Sequence, residues 1–581
     1  MDRFPGGFGR VTATPALSRP QIEGRRHIVS CGNFLAARVA DAILAAGGNA
    51  VDAGVAAGIA LGVVESEMVG FAGVAPIMVR MAAAGDVITI AGLGWWPKLA
   101  TEGMYADTGA IPDGLGRTVV PAAPDAWLTA LENYGTMSFA EVAAGAEDLA
   151  TNGFAMYPFM SEIIGMFAAD HARWESNAAI YLPGGKPPEP GSLFVQSDLG
   201  ATIRYLIDQE KAHAKGDRRR GLQAVRDAFY RGDIARTIVA YHEGNGGLLR
   251  MDDLAGYRSE IERAVSRKFG NADVHTCAPW CQGPALLQML AMVDRNAVAA
   301  MGHNSADYVH HLAEIIKLAF ADRHAFFGDP RFVDVPVERL ISDAYATERR
   351  QMIDRARAAP EMPAPGPALG AASERSVLEP SAAAGRSLDT SYVAVVDQWG
   401  NAFSATPSDI SNDTPVIPGL GIAVSSRGSQ SWASASHPCS IAPGKRPRLT
   451  PSPALVSYAD GSVMAFGTPG GDVQLQSLLQ VFLAIELFGM EPQAAVEAPR
   501  FASYSFPDSF EPHNYLPGRL AIEKRLADRV GDDLAVRGHD VQTWPDYPWR
   551  AGAVCIARRD GKSGRLTAAA DPRRPAYAIG W

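Results

Sequence analysis

Between residues 34 and 64 the apolar positions recur at helical spacing. Ala36, Ala37, Ala40, Ile43 and Leu44 share one face, and Gly47-Gly48-Asn49 interrupts the pattern. Asn49-Ala50-Val51-Asp52 then opens a second helix, rich in Ala and Gly and so suited to close packing. Residues 76–80 and 87–90 read as short buried strands. Residues 117–330 are read as mostly helical, with helices predicted over 139–151, 199–208, 222–242, 285–301 and 306–327. The last carries an apolar stripe with Glu314, Lys317, Asp322 and Arg323 set around it. Residues 358–386 are dense in Pro, Ala, Gly and Ser and read as a linker. Beyond them the texture changes to strands. Residues 392–397 and 402–406 flank Gln398-Trp399-Gly400-Asn401 as a hairpin; 454–458 with 462–466, and 554–558 with 566–570, repeat the design. A helix over 473–487 directly follows Gly470-Gly471. Helices followed by hairpins, with a strand pair in the first half, predict helices covering two stacked antiparallel sheets.

Composition narrows the function classes. The 581 residues are 47% hydrophobic and 20% charged, which supports a large core and speaks against wholesale disorder. The formal net charge of -10 argues against nucleic acid as a partner, and Arg218-Arg219-Arg220 is too short to form a basic stripe. Met1 to Gly7 lacks the apolar core of a signal peptide, and the longest apolar stretch, 53–64, falls short of the roughly 20 residues a bilayer requires. The expectation is a soluble, cytoplasmic protein with no membrane partner. Five cysteines, Cys31, Cys277, Cys281, Cys439 and Cys555, suit a reducing compartment. No second pair or histidine cluster completes a zinc site around Cys277 and Cys281, and the adjacent His310 and His311 point apart on a helix. Neither a metal site nor a cofactor is expected.

The candidate chemistry starts at Thr390, in Asp389-Thr390-Ser391-Tyr392-Val393-Ala394-Val395-Val396-Asp397. A threonine between a flexible tail and a strand is where an N-terminal nucleophile would be made. If the chain breaks between Asp389 and Thr390, the hydroxyl gains its own free amine as a neighbouring base. A β-branched residue opening a strand is the plainer reading of the same position.

Further segments line up with it in order: Gly47-Gly48-Asn49-Ala50-Val51-Asp52-Ala53, residues 314–323 with Gly328-Asp329-Pro330, Lys445-Arg446-Pro447, Gly467-Thr468-Pro469-Gly470-Gly471 and Ala498-Pro499-Arg500-Phe501. Together with the Thr390 hairpin they resemble the γ-glutamyltransferase family of N-terminal nucleophile hydrolases, over about residues 28–541. The resemblance implies an α+β fold, a four-layer αββα sandwich, made as a precursor. It implies a cut into a large subunit (1–389, with a Pro/Ala-rich tail from about 358) and a small subunit (390–581) that stay associated, with a higher homo-oligomer open. It also implies Gly470 and Gly471 as the oxyanion-hole pair and Ser408 as the hydroxyl that orients Thr390. For Gly470-Gly471 the rival reading is a tight turn before a helix, and for Ser408 a turn serine after Pro407. Glu314, Asp322 and Asp329 match the family's helix motif, where scaffold ion pairs are the expected role.

The match departs from the family's pattern in one chemical direction. Typical members bind a free α-amino acid end with an arginine and an acidic residue. Here the corresponding stretches read Leu93-Gly94-Trp95-Trp96-Pro97 and Ser425-Ser426-Arg427-Gly428-Ser429-Gln430, and the serine pair near the oxyanion hole reads Leu449-Thr450. A buried charge without its partner costs several kcal/mol, so a γ-glutamyl group should bind poorly. Trp95, Trp96, Arg427, Gln430 and Thr450 are the candidate substrate contacts. Arg427 suits the carboxylate of a dicarboxylic half-amide or, alternatively, a surface position. The leading expectation is a self-processing amidohydrolase or acylase acting on a small-molecule amide. A γ-glutamyltransferase or glutathione hydrolase with an altered pocket is the rival, and an uncut binding protein the third reading.

Overall fold

The computed structural model describes residues 17–367, 379–381 and 390–581. Its centre is a pair of seven-stranded sheets in which every neighbouring pair is antiparallel. One runs Ile22–Gly24, Leu566–Ala570, Cys555–Arg559, Val463–Gly467, Ala454–Tyr458, Ala272–Thr276, Val265–Phe269. The other runs Tyr577–Gly580, His27–Cys31, Val393–Asp397, Ala402–Ala405, Ile77–Arg80, Val87–Ile90, Ile261–Arg263. Both sheets interleave strands from either side of position 390.

The alternation of strand side chains shows how the layers stack. In Val393–Asp397, Val393 and Val395 join the core under helices Phe34–Ala45, Ala50–Val64, Ala123–Tyr134 and Phe139–Thr151. Ala394 and Val396 point the other way, into a cluster of mostly small residues shared with Leu455, Ala465, Ala557 and Ala568 of the opposite sheet. That second sheet turns Val456, Met464, Phe466 and Ile556 outward onto helices Gly283–Met292, Ala306–Phe326 and Val473–Glu486. Helices therefore pack on both sheets, in a mixed helix-and-sheet fold. Tyr392 crosses between the sheets: its hydroxyl lies 2.6 Å from Ser404 Oγ, which donates to Ala454 O at 3.1 Å.

Local chemistry fixes the helix nearest the site. Asn49 Oδ1 accepts from the Val51 and Asp52 amides at 2.8 and 3.1 Å, and Asp52 returns a carboxylate oxygen to the Asn49 amide at 2.9 Å, a capping box. Asp397 Oδ2 takes the Ala50 amide at 3.1 Å, tying the helix start to the end of the 393–397 strand. A Cβ on Gly54 would stand 2.1 Å from the Phe403 ring, so only glycine lets the helix lie this close to the sheet.

Three expectations need correction. The helix read over 222–242 is two, Arg218–Tyr230 and Asp233–Gly244. Gly232 breaks it, where the backbone passes so close that a Cβ would meet Ala228 O at 2.7 Å. The helix read over 285–301 is likewise Gly283–Met292 and Arg295–Met301, because Asp294 Oδ1 turns back to cap the Asn296 and Ala297 amides at 3.1 and 3.0 Å. Residues 261–276, inside the stretch read as mostly helical, form three strands. Outside the two large sheets, Phe501–Ser503, Arg519–Glu523 and Asp540–Trp544 make a small sheet with one parallel pairing. Among the described residues no helix is long and apolar enough to cross a membrane.

Candidate active site

Thr390 stands at the entrance to the 393–397 strand. Its φ of 82° lies in the left-handed region, which a β-branched residue avoids unless its surroundings hold it there. One holding contact is its amide, which donates to Met68 O at 3.1 Å. Met68 belongs to the turn that closes helix Ala50–Val64, where the Met68 and Val69 amides both donate to Glu65 O at 2.8 Å. Thr390 Oγ1 is 2.6 Å from Ser408 Oγ, and Arg427 Nη2 donates to that same Ser408 oxygen at 2.5 Å. All three residues are buried. Ser408 is fixed by its backbone, which exchanges hydrogen bonds with Val74 at 2.9 and 3.2 Å.

Asp409 balances the guanidinium, with Oδ1 3.6 Å from Arg427 Nε. It also accepts from Ser425 Oγ at 2.6 Å and from the Ser426 amide and hydroxyl at 3.0 and 2.9 Å. Burial pushes the Asp409 carboxyl up, and Arg427 together with these donors pulls it back. Gly73 makes room for this turn: a Cβ there would meet Ser408 O at 2.3 Å.

Gly470 (φ 120°) and Gly471 (φ 55°) join strand Val463–Gly467 to helix Val473–Glu486. Among the described residues neither glycine amide donates a hydrogen bond, while both carbonyls are engaged: Gly470 O with the Val473 amide, Gly471 O with the Gln474 amide and Gln282 Nε2. Two buried or half-buried N–H groups without an acceptor are what an oxyanion requires. The loop is clamped from behind. Arg323 holds Gln282 Oε1 at 2.6 Å and pairs with Asp472. The loop also lies beside the 390 strand: Gly467 carries no Cβ because the Tyr392 ring would be 2.2 Å from it. Gly470 lines one cavity with Arg574, whose Nη1 donates to Thr390 O at 3.4 Å.

The sequence profile of the gamma-glutamyltranspeptidase family matches residues 36–581. The chain belongs to this family. It is 33% identical over 565 residues to the acylase ACY 1 proenzyme of Pseudomonas sp. (strain SE83), covering 94% of this chain and 92% of that one. It is 30% identical to the glutathione hydrolase-like YwrD proenzyme of Bacillus subtilis (strain 168), covering 96% and 99%. The crystal structure of cephalosporin acylase from Bacillus halodurans superposes with a TM-score of 0.82 at 26% identity, covering 98% of each chain.

In this gamma-glutamyltranspeptidase family member, Thr390, Ser408 and Arg427 come together as one hydrogen-bonded chain. Gln430 and Thr450 meet each other, with Nε2 donating to Oγ1 at 2.9 Å. Trp96 is fully buried beneath the Arg427–Gln430 turn, close to Gly428, and donates to Ser431 Oγ at 2.9 Å. Trp95 packs on Tyr257, with centroids 4.8 Å apart, and under Arg331. Asp389 lies outside the described residues. Glu314, Asp322 and Asp329 make scaffold contacts, with Lys317 at 2.7 Å, Arg349 at 3.2 Å, and Arg331 and Arg446 at 2.7 and 3.0 Å.

Sequence reading missed three groups at the site. Arg574 arrives from the far end of the chain. Glu65 and Glu67 flank the turn that receives the Thr390 amide; both are buried, and burial pushes both carboxyls up, Glu67 further because Glu65 is beside it. No local pattern marks any of them, since each gains its role from a segment hundreds of residues away.

Proposed function

We propose that this chain is a self-processing amidohydrolase or acylase with Thr390 as nucleophile, built on the four-layer αββα sandwich of the N-terminal nucleophile hydrolases. The observation that carries the reading is the run Arg427 Nη2, Ser408 Oγ, Thr390 Oγ1, with successive separations of 2.5 and 2.6 Å, at the entrance to a strand. A guanidinium donating to Ser408 draws charge from that hydroxyl and makes its own O–H a stronger donor to the oxygen of Thr390 as negative charge develops there.

In maturation, Thr390 Oγ attacks the Asp389 carbonyl, and the acyl group moves from nitrogen to oxygen. Water then cleaves the ester, leaving an Asp389 carboxylate and a free Thr390 amine. The products are subunits 1–389 and 390–581, held together by the interleaved sheets. In turnover, the amine takes the hydroxyl proton as Oγ attacks a substrate amide. The Gly470 and Gly471 amides stabilise the oxyanion, one such donor being worth about 3–4 kcal/mol. The leaving amine departs with the proton, and water hydrolyses the threonyl ester.

The acyl group is not a free γ-glutamyl group. Asp409, the acid that contacts the 425–427 turn, already has its oxygens occupied by Arg427, Ser425 and Ser426. Arg427 supplies a cation in the same place, which suits an acyl part bearing its own carboxylate. The likeness to a glutathione hydrolase-like proenzyme keeps γ-glutamyl transfer as the second reading.

Intact mass spectrometry under denaturing conditions, with Thr390→Ala alongside, is the first test. Two fragments in the wild type, the smaller beginning at Thr390, and one uncut chain in the variant are expected. A single wild-type chain would overturn the proposal. Turnover of simple acyl anilides without turnover of a γ-glutamyl anilide then separates the two substrate readings.

A further inference from the structure

Far from Thr390 in the sequence, helix Ala306–Phe326 offers His310 and Glu314, one turn apart, to His539 at the start of strand Asp540–Trp544. All three are buried, and one donor atom from each lies within 4.8 Å of the other two. His310 and His539 come from segments that pair nowhere in the large sheets, so this contact was invisible to the expectation that His310 and His311 simply point apart.

The hydrogen bonds around the cluster orient it. His310 Nε2 faces Asp354 O at 2.8 Å, and a carbonyl only accepts. That nitrogen carries the hydrogen, so His310 Nδ1 keeps its lone pair, aimed at His539 Nε2 2.9 Å away. An imidazole whose far N–H is held by a carbonyl is the usual outer support of a metal-binding histidine. Glu314 Oε1 accepts from Lys317 at 2.7 Å and Oε2 from the Ala359 amide at 3.1 Å. Each carboxylate oxygen has a second lone pair, so Oε2 can serve the amide and a cation together.

We propose that His310, Glu314 and His539 form a structural site for a zinc-class divalent cation. Two imidazoles and one carboxylate are a borderline N/O donor set that suits zinc or cobalt, with a fourth position left for water. Zinc–ligand distances of about 2.0–2.2 Å need the two imidazole nitrogens to move apart by only a few tenths of an ångström. A cavity of about 440 Å³ lined by Met301, Asp307, His311, Arg355 and Arg537 reaches His310 and provides the access path. The bound ion would also fix segment 354–359, because Asp354 O contacts His310 and the Ala359 amide donates to Glu314. One consequence rests on the proposed cut: His310 and Glu314 would then belong to one subunit and His539 to the other, and the ion would tie the two together.

The test is titration of chelator-stripped protein with Co(II), read by the visible absorption of a four-coordinate ion and by thermal unfolding with and without Zn(II). The wild type should take up one equivalent, lose the absorption when Zn(II) displaces Co(II), and unfold several degrees higher with Zn(II). His539→Ala and Glu314→Gln should each lose that equivalent and the thermal shift. Thr390→Ala should bind like the wild type, so a failure of self-cleavage leaves the metal result readable. No stoichiometric uptake by the wild type, or uptake unchanged in both site variants, overturns the site.

Discussion

Arg427 Nη2 donates to Ser408 Oγ at 2.5 Å, and the position of that single hydroxyl couples a buried cation to the candidate nucleophile. The role proposed for Ser408 rests on this coupling. Ser408→Ala removes the hydroxyl that meets both Thr390 Oγ1 and Arg427 Nη2. A hydrogen bond to a charged group is worth about 1.5–3 kcal/mol, so self-cleavage and turnover should each slow by roughly 10- to 100-fold. Ser408→Thr keeps the hydroxyl and should retain most of both. Time courses of fragment appearance by mass spectrometry read the first effect directly.

Arg427→Met should cost stability as well as rate. The variant leaves Asp409 buried without its counter-charge, and breaking such a pair costs about 3–5 kcal/mol. A lower unfolding temperature is expected, together with slower cleavage. Arg427→Lys should not restore the rate, because one ammonium lacks the fork that reaches both Ser408 and Asp409.

Gly470→Ala tests the oxyanion assignment. Space is not the obstacle, since an added Cβ would have Gly552 Cα as its nearest neighbour at 3.6 Å, an ordinary contact. The obstacle is the backbone: φ of 120° is strained for any residue with a Cβ. The loop should relax and turn its amide away, lowering kcat by about 10²- to 10³-fold with a smaller change in KM. Unchanged kcat would assign the glycine pair to the turn alone.

Glu67 sets a pH dependence. Its carboxyl is raised by burial and by Glu65, which outweigh the opposing pull of its own backbone amide and of Arg574. A carboxyl raised in the folded state costs nothing below its unfolded value of about 4.3, where both states are protonated. As pH rises above that value the unfolded chain loses its proton first, and stability falls until the folded value is passed. Glu67→Gln removes this term. Its unfolding temperature should exceed that of the wild type by more at pH 8 than at pH 5, measured by calorimetry across that range.

Asp329 gives the opposite sign. Burial alone would raise its carboxyl, but Arg331 and Arg446 outweigh that and bring it down to about 2. Its contribution to stability is therefore present above the unfolded value of about 3.9 and is lost as pH falls towards 2. Asp329→Asn should flatten that part of the acid limb.

The local periodicity of the chain determined much of the fold. Helices 34–45 and 50–64 and the hairpins around Gly400 and Gly461 were legible because their signals, a 3.6 or 2 period bounded by capping or turn residues, involve only neighbours. The two split helices were misread because the breaks depend on contacts that a periodicity does not report. Gly232 is needed only because Ala228 O is so close, and Asp294 caps only because the chain turns there. The short strands of 261–276, two of them at sheet edges, were missed because they bury only alternate or partial faces and leave a weak apolar signal.

The site divides the same way. Thr390 could be singled out as a hydroxyl between a linker and a strand, while Ser408, Gly470 and Gly471 were named through the resemblance to the family. Their contacts could not be read from either. Arg427 and Asp409 are joined across a turn, Arg574 reaches Thr390 from 184 positions away, and His539 meets His310 from 229 positions away. The sequence by itself determined which residues carry reactive groups and which elements hold them. Only the tertiary structure decided which groups face one another, because charge pairing and burial act through space, and a chain of local signals does not encode those distances.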